Sequence, residues 1–91
     1  MEIRDVIIKH PLDNSEIYAD LQSDWTVEYI VSELIKIGVL PELNKGYDYE
    51  REFYVIWCRE TGKEIWRKAP ISESGVKDNG TLQIGIRCYA G

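Results

Sequence analysis

The sequence predicts an α+β domain, a mixed sheet of four to five strands with one helix packed across it. Three observations carry this reading. Short β-branched or alternating runs, bounded by turn residues, lie at both ends of the chain. One stretch alone has a helical apolar period. The resulting order is strand, strand, helix, strand, short strand, strand, which suits a sheet with a helix covering one face.

The first run, 3–10, is Ile-Arg-Asp-Val-Ile-Ile-Lys-His and reads as a strand. Residues 11–15, Pro-Leu-Asp-Asn-Ser, form a turn cluster. Residues 16–21 alternate, placing Ile17, Ala19 and Leu21 on one face, so the two strands make a hairpin. The period then changes. Val27, Ile30, Val31, Leu34 and Ile35 fall at i, i+3, i+4, i+7 and i+8, which predicts an amphipathic helix over 26–37. Thr26 is its expected N-cap, and Asp24 adds negative charge near that end. Gly38 stands where a left-handed residue closes a helix, and Pro41 forbids continuation.

Residues 41–52 are polar and mostly acidic, and are read as a loop and as the most mobile internal segment. The run 53–59, Phe-Tyr-Val-Ile-Trp-Cys-Arg, is the most strand-like in the chain, followed by a turn at 60–63 and a short returning strand at 64–66. A small turn-like segment occupies 70–75. Asp78-Asn79-Gly80 is a strong turn signal, because Asn and Gly tolerate positive φ. The last strand, 81–87, places Leu82, Ile84 and Ile86 on one face, with Cys88 continuing the alternation. The helix residues Val27, Ile30, Val31 and Leu34 are expected to face Ile17, Leu21, Val55, Ile71, Val76, Leu82 and Ile84, and Trp57 is expected to complete the core. The domain is taken as 1–87, with 88–91 an exposed C-terminal tail.

Composition narrows the function. A chain of 91 residues is the size of one domain, and 44% apolar content is that of a globular one. Its net charge of −5 would be repelled by phosphate backbones, and no basic cluster offsets it, so nucleic acid is not an expected partner. No apolar run approaches the roughly 20 residues of a membrane helix. The first residues lack a signal-peptide pattern, so a cytoplasmic monomer is expected. Cys58 and Cys88 match neither a zinc pattern nor a disulfide framework, and read as reduced, partly buried thiols. His10, the single histidine, reads as an ordinary surface or turn residue, and no metal or cofactor is implied. Nucleophilic catalysis needs a nucleophile beside a base and an orienting acid, and nothing in the sequence brings Cys58 and His10 together. Glu50 and Glu52 belong to a solvated loop, where carboxylates stay ordinary. The chain is therefore not expected to be an enzyme.

Two features point to protein partners. Three tryptophans and six tyrosines are many for this length, and aromatic side chains are favoured interface anchors. Trp66 and Lys63, near a short edge strand, are the candidate interaction surface. The ending Arg87-Cys88-Tyr89-Ala90-Gly91 offers a stalk with a small tip, which suits a narrow channel in another protein.

The residues resemble the ubiquitin-like β-grasp family. Thr26-Val27 opens the helix as a Thr-Ile pair opens ubiquitin's, and Gly62-Lys63 followed by Ile65 is similar to ubiquitin's Gly-Lys-Gln-Leu. From Ile71 to Gly91 the two lie side by side without a gap. Leu82 to Gly91, Leu-Gln-Ile-Gly-Ile-Arg-Cys-Tyr-Ala-Gly, resembles Leu-His-Leu-Val-Leu-Arg-Leu-Arg-Gly-Gly. The stretch from Ser74 to Leu82, Ser-Gly-Val-Lys-Asp-Asn-Gly-Thr-Leu, also resembles the YukD branch of prokaryotic ubiquitin-like proteins. Three positions depart from ubiquitin. Ala90 replaces the first glycine of the terminal pair, Tyr89 replaces an arginine, and Gly85 stands where ubiquitin carries a valine of its receptor-binding patch.

The resemblance implies a protein modifier. Gly91 would be adenylated by an activating enzyme, passed on as a thioester and conjugated to targets. Arg87, Tyr89 and Ala90 would dock the tail, and conjugating enzymes and a deconjugating protease would be partners. Two alternatives stand beside it. One is a non-conjugated β-grasp adaptor such as the YukD-like accessory proteins of type VII secretion. The other is a sulfur carrier, against which Ala90 counts.

Overall fold

The computed structural model describes residues 1–43 and 50–90, with 50–52 and 88–90 described in their backbone alone. The strands are β1 (Glu2–Lys9), β2 (Glu16–Gln22), β3 (Glu50–Cys58), β4 (Lys63–Glu64) and β5 (Thr81–Ala90). The helix α1 spans Val27–Lys36, and a single 3-10 turn spans Ile71–Glu73. The five strands form one sheet in the order β2-β1-β5-β3-β4. The central pair β1–β5 is parallel and the other three pairs are antiparallel, so the sheet is mixed. With α1 packed across it, the fold is a β-grasp-like α+β domain. None of its described helices is long and apolar enough to cross a membrane.

The β1–β2 hairpin contains a bulge that the core requires. Ile3 pairs with Leu21 and Val6 with Ala19, so β1 spends one more residue than β2 over the same distance. Strand side chains alternate with period two, and Ile3 and Val6 would otherwise face opposite sides. The extra residue lets Ile3, Val6 and Ile8 all enter the core. Asp5 takes positive φ (54°) at this point, and its N–H donates to the Asp20 carboxylate at 2.9 Å.

The helix starts and stops where the sequence indicates. Thr26 Oγ1 accepts the Tyr29 N–H at 3.2 Å, satisfying one of the unpaired donors of the first turn. Glu28 lies in the first turn and Lys36 in the last, each complementing the helix dipole. Gly38 adopts φ +86°, a conformation that costs a glycine little. Val27, Ile30 and Leu34 are buried against the sheet, while Val31 and Ile35 pack on the flank.

Strands β1, β2, β3 and β5 contribute to this core, whereas both residues of β4 are exposed. On β3 the row is Tyr54, Ile56 and Cys58, directly opposite Ile86, Ile84 and Leu82 of β5. Leu40, Ile65, Ile71 and Val76 close the ends, and Cys58 is a buried free thiol.

The structure corrects four expectations. Val55 is buried but lies outside the helix-side cluster, because it alternates with Tyr54 and Ile56. Trp57 shares that opposite parity and is half-buried on the other face rather than in the core. β3 begins at Glu50, so 50–52 belong to the sheet and not to a loop; 44–49 lie outside the described residues. Finally, β5 continues through Ala90, pairing Cys88 with Glu52, Tyr89 with Arg51 and Ala90 with Glu50. The boundary expected after Arg87 is absent from the backbone. Ladder bonds join main-chain groups, so the charged end Glu50-Arg51-Glu52 pairs with 88–90 without an alternating pattern to announce it.

Candidate interaction surface

The sheet face turned away from α1 is the candidate site. The strand register assigns its residues. One row crosses the sheet as Glu16, Lys9, Gln83, Trp57 and Glu64. The next pairs Gly85 with Val55, and the next Arg87 with Phe53. On the other side lie Tyr18, Ile7 and Thr81.

Trp57 is the centre of this face. Its indole lies over Gly85, where a Cβ would come within 2.4 Å of Cζ3. The glycine therefore makes the seat that the ring occupies. The Arg87 guanidinium stands 5.9 Å from the Trp57 ring centroid, in cation–π range. The same guanidinium pairs with both oxygens of the Glu64 carboxylate, Nη2 with Oε1 and Nη1 with Oε2. Arg87 thus spans from β5 across β3 to β4, closing over the indole. Phe53, directly opposite Arg87, stays 37% exposed. At the far edge Tyr18 is exposed, and the Lys9 ammonium pairs with Glu16 at 3.4 Å.

The residues picked from the sequence distribute as follows. Arg87 belongs to the Trp57 cluster. Lys63 is exposed on β4, its N–H donating to Thr61 Oγ1 at 3.3 Å. Trp66, just past β4, is 66% exposed. Lys63 pairs with Cys58 of the core-facing row, and Trp66 lines a groove with Val27 and Ile65, so the register does not bring either one into the Trp57 cluster. The backbones of Tyr89 and Ala90 are in the ladder, and Gly91 lies outside the described residues. The sequence reading did not find the seating of Trp57 on Gly85; the signal was a glycine inside a strand, which often marks a close approach.

The opposite side of the domain is built differently. Trp25 and Tyr29 meet at 5.0 Å between ring centroids, tilted by 49°. The Glu33 carboxylate beside Tyr29 raises the phenol above its ordinary value. A groove of about 760 Å³ runs between α1 and β3, with Val31, Ile35 and Leu43 in its walls and the Glu28–Arg67 ion pair, 3.6 Å, at its rim.

The titratable side chains are occupied separately. Cys58 Sγ has Glu60 Oε1 at 3.9 Å, whereas His10 bonds the Val39 carbonyl and the Leu12 N–H. Glu60 also accepts the Thr81 N–H, at 3.0 Å through Oε1, fixing the β3–β4 turn to the start of β5. Among the described residues, no group of three or more His, Cys, Asp or Glu is placed to hold a metal ion.

No family model and no curated protein matches the chain. Solved structures do match in fold. A chain of the toluene 4-monooxygenase HD complex with the inhibitor 4-bromobenzoate is similar, with a TM-score of 0.68 and 9% identity; the match covers 96% of this chain and 100% of that one. A chain of the MycP5-free ESX-5 inner membrane complex, state II, is similar with a TM-score of 0.57 and 17% identity. That match covers 99% of this chain and 21% of the other, so this chain spans about a fifth of its length. At these identities the likeness is one of fold, the same α+β β-grasp-like sheet and helix.

Proposed function

We propose that this chain is a non-catalytic β-grasp interaction domain that docks into a larger protein assembly, the adaptor role that the YukD resemblance implies. The observation that carries this reading is the Trp57 cluster on the uncovered sheet face. Its indole is seated on Gly85 and covered by Arg87, with Phe53 exposed beside it. Tryptophan and arginine are over-represented among residues that dominate binding energy. A ring already fixed by its neighbours loses little rotamer freedom on binding. Trp66, just past β4, is a second exposed aromatic side chain at that edge of the sheet. Both similar folds belong, by the names of their structures, to complexes, so the scaffold is compatible with assembly.

The modifier reading is the second proposal, and it rests on the terminal resemblance ending in Ala90-Gly91. It requires 88–90 to leave β3, giving up the pairs Glu52–Cys88, Arg51–Tyr89 and Glu50–Ala90. A sulfur carrier would have the same requirement. One experiment separates the readings. The chain is incubated with ATP and a ubiquitin-activating-type enzyme, and Gly91 is inspected by intact mass. An unchanged mass favours the adaptor; an adenylate, thioester or thiocarboxylate at Gly91 favours activation chemistry.

A further inference from the structure

We infer that His10 is a pH-sensitive joint between the β1–β2 turn and the segment leaving α1. The imidazole is largely buried, with its side chain 14% exposed. Nε2 lies 3.1 Å from the Val39 carbonyl oxygen, and Nδ1 lies 3.1 Å from the Leu12 amide nitrogen. A carbonyl can only accept and an amide N–H can only donate. The neutral ring with its proton on Nε2 satisfies both contacts, and the other tautomer satisfies neither.

A second acceptor waits at the same nitrogen. Asp13 Oδ1 is 3.3 Å from Nδ1. It also accepts the Ser15 N–H at 2.9 Å, so the turn itself holds the carboxylate beside the ring. Protonating Nδ1 sets two donors, Nδ1–H and the Leu12 N–H, against each other. The proton then bonds Asp13, and Leu12 gives up its acceptor. The Nε2–H bond to Val39 persists, so the ring stays in place while the turn rearranges around it. Leu12, whose side chain is 66% exposed, moves with that turn.

The other surroundings of the ring carry no competing charge. Ser15 and Ile17 from the β2 side, Val39 and Leu40 after α1, Ile8 of β1 and Ile84 of β5 line the adjoining cavity. The neighbouring Lys9 ammonium is paired with Glu16. Asp13 is therefore the charged group that faces His10 among the described residues.

The test is a titration of the whole chain from about pH 8 to about pH 5, following the imidazole nitrogens and backbone amides by NMR. The expected result is an Nε2–H tautomer at high pH and a Leu12 amide shift with the same midpoint as the ring. Asp13→Asn keeps an oxygen acceptor for Ser15 but removes the charged acceptor beside Nδ1, and is expected to shrink the Leu12 amide shift. An Nδ1–H tautomer at high pH, or a Leu12 amide that stays still while the ring titrates, overturns the proposal. A Leu12 amide shift of unchanged size in Asp13→Asn overturns the role given to Asp13.

Discussion

Trp57 and Gly85 occupy one site on the sheet: the indole of the first fills the space that a side chain on the second would need. A Cβ at Gly85 would meet Trp57 Cζ3 at 2.4 Å and Cη2 at 3.0 Å. Glycine in a strand is unfavourable in itself, so a side chain without a clash would stabilise. Here the clash decides the sign. Gly85→Val is expected to displace the indole, alter the near-ultraviolet circular dichroism and cost about 1–3 kcal/mol in denaturant unfolding. An unchanged spectrum with equal or higher stability would contradict the seating.

The helix–sheet contact should show the usual penalty for a core cavity. Leu34 is buried on the face of α1 that packs on the sheet. Leu34→Ala is expected to lower the unfolding free energy by about 2–5 kcal/mol, the lost transfer energy plus the cavity left behind. Chemical denaturation monitored by circular dichroism measures it, and a loss below the cost of a surface substitution would contradict the packing.

The Arg87–Glu64 pair should contribute little to stability. Its side chains are 47% and 35% exposed, so water and salt screen the charges. A double-mutant cycle of Arg87→Met and Glu64→Gln is expected to give a coupling of about 0.2–1 kcal/mol that falls with added salt. Loss of docking in Arg87→Met without loss of fold would mark the residue as an interface contact. A coupling of several kcal/mol would make it structural.

Asp13 sets a pH dependence of defined sign. Its carboxyl is held below the ordinary 3.8, first by the Ser15 N–H bond, then by the Ser15 side chain, with a smaller contribution from the charge of His10. A depressed native value means that the stabilisation is present above the unfolded value and lost as pH falls through the native one. Asp13→Asn should therefore flatten the acid limb of the stability profile below about pH 4, and an acid limb of unchanged shape would contradict the hold on the carboxylate. Paired thermal melts from neutral to strongly acidic pH check this.

Much of the fold was legible because its elements differ in period. The stripe Val27, Ile30, Leu34, closed by Thr26 and Gly38, can satisfy only a helix, and both termini were found within a residue. The run 53–58 was legible as a strand but not as a face. Tyr54, Ile56 and Cys58 point to the core while Phe53, Val55 and Trp57 point away, and all six are apolar or aromatic, so alternation cannot choose between the rows. The bulge at Asp5 was hidden because the sequence marks it with no glycine. Pairing of 50–52 with 88–90 was hidden because it is made by backbone. Of the candidate surface, Arg87 could be named from the sequence alone. The joining of Arg87 to Trp57 and Glu64 depends on neighbouring strands, which local sequence does not state.

The most direct test of the docking proposal compares the tagged protein's mass in its native cell under non-denaturing and denaturing conditions. The proposal predicts a larger, non-covalent assembly that falls to the unmodified chain mass on denaturation. It also predicts that Trp57→Ala abolishes the assembly and that deletion of Gly91 leaves it intact. A ladder of covalent products that survives denaturation and disappears on deletion of Gly91 would contradict the docking reading and make the chain a modifier.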